Sequence, residues 1–182
     1  RKILIDMELS LKIQVDFLKG LKFAHLNNVI HRDINPDNIL LSYRKNSIRS
    51  LLSDFGLAQN TSNLNKISSA KGRYLYMAPE CFSNIYLPCS DVFSAGIVFY
   101  RMLTGVSPWE VSLNESDRNE DIIDKMVISR KKKPLSPSFN NPKIPKEIDN
   151  IILKSLSLKI EDRYKNGSEF LDVLKKVKIE MS

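Results

Sequence analysis

His31-Arg32-Asp33-Ile34-Asn35-Pro36-Asp37-Asn38 is the stretch on which the reading of this chain turns. It is polar and carries a Pro. Val29-Ile30 precedes it and Ile39-Leu40-Leu41 follows it, both apolar runs too short for helices, so it reads as a loop between short extended segments. Asp54-Phe55-Gly56 begins sixteen residues after Asn38, and Glu80 of Ala78-Pro79-Glu80 stands twenty-six residues after Asp54. Taken singly, Asp33, Asn38 and Asp54 are ordinary turn-forming residues. Their joint spacing is the informative feature.

On the N-terminal side, Leu11, Val15, Leu18, Leu21 and His25 recur at helical spacing. Ile13, Phe17 and Ala24 widen the apolar face, which predicts one long helix over 10–27, broken by Asn27-Asn28. Ile48 to Leu52 is a further apolar run, and Tyr43 to Ser47 reads as the turn of a small hairpin. Residues 57–76 are polar and without sustained period, and so long a loop in a compact domain is usually functional. A short helix is expected after Pro79. Residues 90–104 are apolar almost all round, which predicts a central helix with Gly105 as its stop. Residues 118–129, with Ile122, Ile123, Met126 and Val127, form an amphipathic helix. A Pro- and Lys-rich loop over 130–146 separates it from two closing helices, 147–157 and 167–178. The expected fold is mainly α (α+β), a single domain over 1–182 built as a helical bundle with one small β-hairpin.

Twenty-eight Lys and Arg against 21 Asp and Glu leave a formal charge of +7. At 42% hydrophobic and 27% charged residues, whole-chain disorder is excluded. Two cysteines, Cys81 and Cys89, exclude a disulfide scaffold. No apolar run approaches the roughly 18 residues of a membrane span. Asp6 and Glu8 follow the N-terminal Arg1-Lys2-Ile3-Leu4, so no signal-peptide core is read there. The expected compartment is cytoplasmic, with the nucleus as the alternative, and the missing initiating Met reads as a fragment. The densest basic cluster, Arg130-Lys131-Lys132-Lys133, has no interleaved aromatics for base stacking. A solvated loop is favoured there over a nucleic-acid or anionic-lipid patch. Lys175, Lys176 and Lys178 end a helical pattern, where cations suit the helix dipole.

The three signatures, in this order and at these spacings, resemble the eukaryotic protein kinase family. Asp91, Gly96, Pro108-Trp109 and Arg163 are supporting matches, and the resemblance covers essentially the whole chain. It implies the large, C-terminal lobe of the catalytic domain, with the hairpin at the catalytic loop. The small lobe of the family carries a Gly-rich loop, a strand lysine and a helix glutamate, and none is in this sequence. A missing N-terminal lobe is therefore an implied partner, together with ATP, Mg²⁺ and a protein substrate. The implied activity is transfer of the ATP γ-phosphate to protein Ser or Thr hydroxyls, with the fragment alone inactive. Asp33 would orient the substrate hydroxyl and accept its proton. Asn38 and Asp54 would be oxygen donors to Mg²⁺, a hard cation, and Leu40 would floor the adenine ring unless it merely packs in the core. His31 would pack near Phe55, Asp91 would accept backbone N–H groups of the catalytic loop, and Glu80 would pair with Arg163. His25 reads as a core imidazole, and the two cysteines as ordinary thiols. Arg32 implies switching by phosphate on the activation segment, with Ser69 the first candidate and Ser68 and Thr61 the next.

Two positions depart from the family pattern. Most serine/threonine kinases carry Lys where this chain has Asn35, and Thr where it has Arg73. Tyrosine kinases usually lack that Lys too, and LIM-domain kinases carry Asn there. One reading is that Arg73 supplies the lost charge to the transferring phosphate or to a phosphorylated segment, its planar fork suiting phosphate oxygens. The plainer reading sends Arg73 to solvent and lets Asn35 hydrogen-bond the loop. Three alternatives stand beside a serine/threonine kinase: a tyrosine or dual-specificity kinase, a pseudokinase-like scaffold or binding module, and, on net charge alone, a nucleic-acid binder.

Overall fold

Asp6 opens the first helix. Its carboxylate accepts from the backbone N–H of Glu8 at 3.0 Å and of Leu9 at 3.4 Å, satisfying donors that a helix start leaves orphaned. The cap starts this helix, α1 (Met7–Leu26), nearly a turn before the apolar pattern does. The computed structural model describes residues 5–44, 47–55 and 70–177. Phe17, Leu18 and Leu21 of α1 are fully buried.

Strands β1 (Ile39–Arg44) and β2 (Ser47–Leu52) pair antiparallel, with Ile39 opposite Leu52. The ladder runs further toward the tip than expected, taking in Tyr43, Arg44 and Ser47; positions 45–46 lie outside the described residues. The Ser50 hydroxyl donates to the Ile13 carbonyl at 2.6 Å and docks β2 on α1. The segment expected to be irregular ends in a short helix, α2 (Ala70–Tyr74), while 56–69 lie outside the described residues. A 3₁₀ turn, Pro79–Ser83, takes the place of the helix expected after Pro79.

The central helix, α3 (Pro88–Thr104), has Pro at its first position and ends on Gly105 at φ 71°, a conformation glycine adopts without strain. Phe93, Ile97, Phe99 and Tyr100 are buried on all its sides. A Cβ on Gly96 would lie 2.0 Å from the Ser155 hydroxyl oxygen, so α3 approaches the helix that ends at Ser155 at a range only glycine allows. The remaining helices are α4 (Asn119–Arg130), α5 (Pro137–Asn140), α6 (Lys146–Ser155) and α7 (Gly167–Leu174). Helix α5 corrects the expected loop over 130–146: Pro137 starts it, and buried Asp149 accepts from the Ser138 N–H at 2.8 Å and from its hydroxyl. Helix α7 stops at Leu174, short of the expected 178, with Lys175 at its C-cap; Lys178 lies outside the described residues. No helix among the described residues is long and apolar enough to cross a membrane.

Arg130 overturns part of the solvated-loop reading. It is 2% exposed, lies 4.3 Å from the Trp109 ring centroid and 5.9 Å from that of Phe93, and donates from Nη2 to the Leu75 carbonyl at 2.8 Å. Burial pushes its guanidinium down to about 10, still charged at neutral pH. Lys131, Lys132 and Lys133 are exposed, as that reading expects.

Candidate active site

The hairpin turns a separation of sixteen residues into adjacency. Because Ile39 pairs with Leu52, Asn38 just before β1 and Asp54 just after β2 stand at the same open end. The Ser53 N–H and hydroxyl both donate to the Asn38 carbonyl, at 2.9 Å and 3.2 Å. Asp54 has φ 57°, in the left-handed region that Asp tolerates better than most side chains. Pro36–Asn38 forms a 3₁₀ turn, capped by the Asn35 Oδ1, which accepts from the Asp37 N–H at 2.9 Å.

Asp33 lies at the centre, 6% exposed. Its Oδ1 accepts from Asn35 Nδ2 at 3.0 Å and meets Arg73 Nε at 3.0 Å. Its Oδ2 accepts from Asn38 Nδ2 at 3.0 Å. Both amides also donate to the Asp33 carbonyl. Asn35 thus bonds the loop, as the plainer reading expects, but Arg73 turns onto Asp33 and not to solvent. The two departures from the family pattern meet on one carboxylate oxygen.

The loop rests on buried polar groups. Asp91, 2% exposed, accepts from the backbone N–H of His31 at 2.8 Å and of Arg32 at 2.9 Å. Its Oδ2 also lies 2.9 Å from His25 Nε2. Since the Gly167 N–H donates to His25 Nδ1 at 3.0 Å, Nδ1 is the acceptor and the ring proton sits on Nε2, aimed at Asp91. His25 is thus a positioning group that ties α7 and α1 to the loop. The sequence marks it only as a residue on an apolar face. His31 donates from Nε2 to the Ser53 carbonyl at 2.8 Å and meets Phe55 edge-on, ring centroids 4.7 Å apart. Leu40 is 53% exposed, opposite Leu51 at 55%, which sets aside core packing as the reason for its apolar side chain.

Arg163 Nη1 meets Glu80 Oε1 at 2.7 Å and Nη2 meets Oε2 at 3.1 Å, the expected pair. Ser90, which no sequence signal singles out, donates to Glu80 Oε1 at 2.6 Å. Arg32 has φ 69°, lies 5.2 Å from the Tyr86 ring centroid, and leaves its buried Nε without a partner among the described residues. Ser69, Ser68, Thr61 and Gly56 lie outside the described residues. Burial pushes the Cys81 thiol up to about 12 and raises that of Cys89, so neither is a ready nucleophile.

Helices gathered around a buried catalytic-type loop, with a hairpin at its exit, define a protein-kinase-like fold. The model of the protein kinase domain family matches residues 1–175, and the chain belongs to that family. It is 33% identical over 181 residues to the tyrosine-protein kinase MasK of Myxococcus xanthus, covering 93% of this chain and 26% of that protein. It is 35% identical over 163 residues to a protein of Clostridium acetobutylicum named as a probable serine/threonine-protein kinase, covering 88% and 23%. The chain thus spans about a quarter of the length of these curated relatives. Among solved structures it is similar to Rad53 in complex with AMP-PNP, with TM-score 0.71, 23% identity, and 93% and 40% of the two chains covered. It is also similar to the PknI kinase domain of Mycobacterium tuberculosis, with TM-score 0.66, 20% identity, and 96% and 56% covered.

Proposed function

We propose that this chain is the large-lobe part of an ATP-dependent protein kinase that phosphorylates Ser or Thr hydroxyls. The observation that carries this reading is the assembly of Asp33, Asn38 and Asp54 at one end of the hairpin, with the Asp33 carboxylate held by three donors. These are the groups a pseudokinase commonly loses, which argues against a scaffold role. Tyrosine remains the alternative acceptor, because relatives named for each residue type match.

Asp33 Oδ1 already has two partners, whereas Oδ2 has one. A carboxylate oxygen offers about two acceptor sites, so Oδ2 is the oxygen that takes the substrate hydroxyl proton. Asn38 spends its Nδ2 on Asp33, which leaves its Oδ1 for a cation. That amide oxygen and the Asp54 carboxylate suit Mg²⁺, which when bound would neutralise phosphate charge. Leu40 and Leu51 offer an apolar surface beside the site for adenine. A small lobe would supply the opposite wall. Arg32 is the proposed receiver of a phosphate on Ser69.

The test is phosphate transfer from labelled ATP to a protein acceptor, with and without a kinase small lobe joined ahead of the chain. Phosphoserine or phosphothreonine is expected with the small lobe, and negligible transfer without it. Phosphotyrosine alone would move the acceptor reading, and no transfer with both lobes would favour a scaffold.

Arg73 is proposed to supply at the site the charge that a Lys supplies in most serine/threonine kinases. In the two-lobed protein, Arg73→Ala should cut turnover by about tenfold, about 1.4 kcal/mol of barrier. Adding Asn35→Lys should recover much of that loss, because both side chains reach Asp33 Oδ1. A double-mutant cycle measures the exchange. A silent Arg73→Ala, or no rescue, would separate the two departures.

A further inference from the structure

Away from Asp33, a cleft of about 590 Å³ opens between the Arg130–Pro134 segment and the Leu153–Lys159 segment. It shares no lining residue with the catalytic loop. Arg130, Lys131, Lys132 and Lys133 stand on one wall, Lys154 and Lys159 on the other, and Asp162 is the one carboxylate in the lining. The five lysines are exposed, and none has a carboxylate partner within 4 Å among the described residues. Leu153 and Leu158, on the same segment as Lys154 and Lys159, supply apolar surface to the lining, and Leu158 is 51% exposed.

Both walls are held from beneath by buried side chains. Trp109, 5% exposed, donates from Nε1 to the Lys132 carbonyl at 2.7 Å. The N–H groups of Lys131 and Lys132 bond back to the Ile128 and Ser129 carbonyls. On the far wall, buried Arg163 donates from Nε to the Ser157 carbonyl at 2.7 Å and from Nη2 to the Leu158 carbonyl at 3.2 Å. Trp109 and Arg163 both pack on Phe93, so one core residue braces both walls. Like charges pinned on two facing backbones repel. They are offset by a ligand of opposite charge, and a preorganised wall lowers the ordering cost of binding it.

We propose that this cleft docks an acidic, leucine-containing segment of a partner protein, in extended form, with carboxylates on the lysine rows and an apolar side chain on the leucines. The lining has no exposed aromatic for base stacking, which argues against RNA or single-stranded DNA. The lysines come from two separate segments that line one recess and do not coat one helix face, which argues against a membrane surface. The inference does not depend on the phosphoryl-transfer reading, because binding is measured without ATP.

The test is fluorescence anisotropy with a labelled Glu- and Leu-rich peptide and its Gln-for-Glu counterpart. The acidic peptide is expected to bind the chain, more weakly as salt is raised, and the Gln peptide at least about tenfold more weakly. Lys132→Glu with Lys159→Glu, one from each wall, should weaken acidic-peptide binding by at least about tenfold, and the neutral pair Lys132→Gln with Lys159→Gln by less. Lys175→Glu with Lys176→Glu, basic positions outside the cleft, should leave it unchanged, and thermal melts establish that every variant is folded. Equal weakening by both Glu pairs, equal binding of the Gln peptide, or no binding of the acidic peptide would overturn the proposal. So would tighter cleft-dependent binding of a single-stranded RNA or of phosphatidylserine vesicles.

Discussion

Asp33→Asn is expected to lower phosphate transfer by the two-lobed protein by about 10²- to 10⁴-fold, the usual worth of a positioned general base. The substitution keeps size and shape but replaces an oxygen by an amide that donates. Three donors converge on this carboxylate, from Asn35, Arg73 and Asn38. An Asn at 33 would set its own N–H₂ against one of them. It would also remove the proposed acceptor of the hydroxyl proton and the counter-charge of Arg73. The loss should fall on turnover, while the affinity for ATP measured by equilibrium binding stays close to that of the parent. A parallel thermal melt separates loss of chemistry from loss of fold. Retained turnover in a folded Asp33→Asn protein would place the base elsewhere.

Arg163→Ala is expected to cost about 3–5 kcal/mol of folding stability, because removing one partner of a buried pair leaves the other charge uncompensated. The Arg163 side chain is fully buried and that of Glu80 is 8% exposed. Besides Glu80, Arg163 satisfies the carbonyls of Ser157 and Leu158 and packs 4.7 Å from the Phe93 ring centroid. Against a typical total of about 5–15 kcal/mol, this is a large fraction, readable as a shift in the urea midpoint. The pH dependence gives a second reading. Burial pushes the Glu80 carboxyl up, but hydrogen bonds from Arg163 and Ser90 and the Arg163 charge outweigh it, so its pKa lies below the ordinary 4.5. Its contribution to stability is therefore complete above pH 4.5 and is lost as pH falls through the depressed value. Without Arg163, burial acts with only the Ser90 hydroxyl and a backbone hydrogen bond at Glu80 against it, and the pKa rises. Acid then relieves the strain as pH falls through that raised value, and the gap between variant and parent should narrow further below 4.5, where the parent loses its own contribution. A gap that stays constant across this range would mean that Glu80 is not the group left unpaired.

The same buried pair shows how legible the chain is. Glu80 and Arg163 stand eighty-three residues apart. The family resemblance alone paired them. Residue types and periodicity did not. Helices α1 and α3 were legible from apolar spacing, since a buried helix must present the same chemistry on the same face at each turn. Asp6 sets the true start of α1 through a cap, a local signal that periodicity does not carry. The hairpin was legible from short apolar runs on either side of turn residues, and it brings Asn38 and Asp54 together by its own register.

What only the tertiary structure decided is where charges go once helices have packed. Arg130 heads a run of four basic residues, and sequence treats them alike. Packing slides one guanidinium between Trp109 and the Leu75 carbonyl and leaves three ammonium groups in water, because a planar, weakly hydrated cation costs less to bury against an aromatic face than a compact, strongly hydrated ammonium does. His25 belongs to an apolar stripe by spacing, yet its ring bridges Gly167 and Asp91, elements 142 and 66 residues away. Arg73 was free by sequence to face solvent or phosphate, and the turn of α2 lays it on Asp33. Local propensity and periodicity act over a turn or two of chain. Most buried polar groups, in contrast, find partners wherever the fold supplies them, because leaving one unpaired in the interior costs more than most local preferences return.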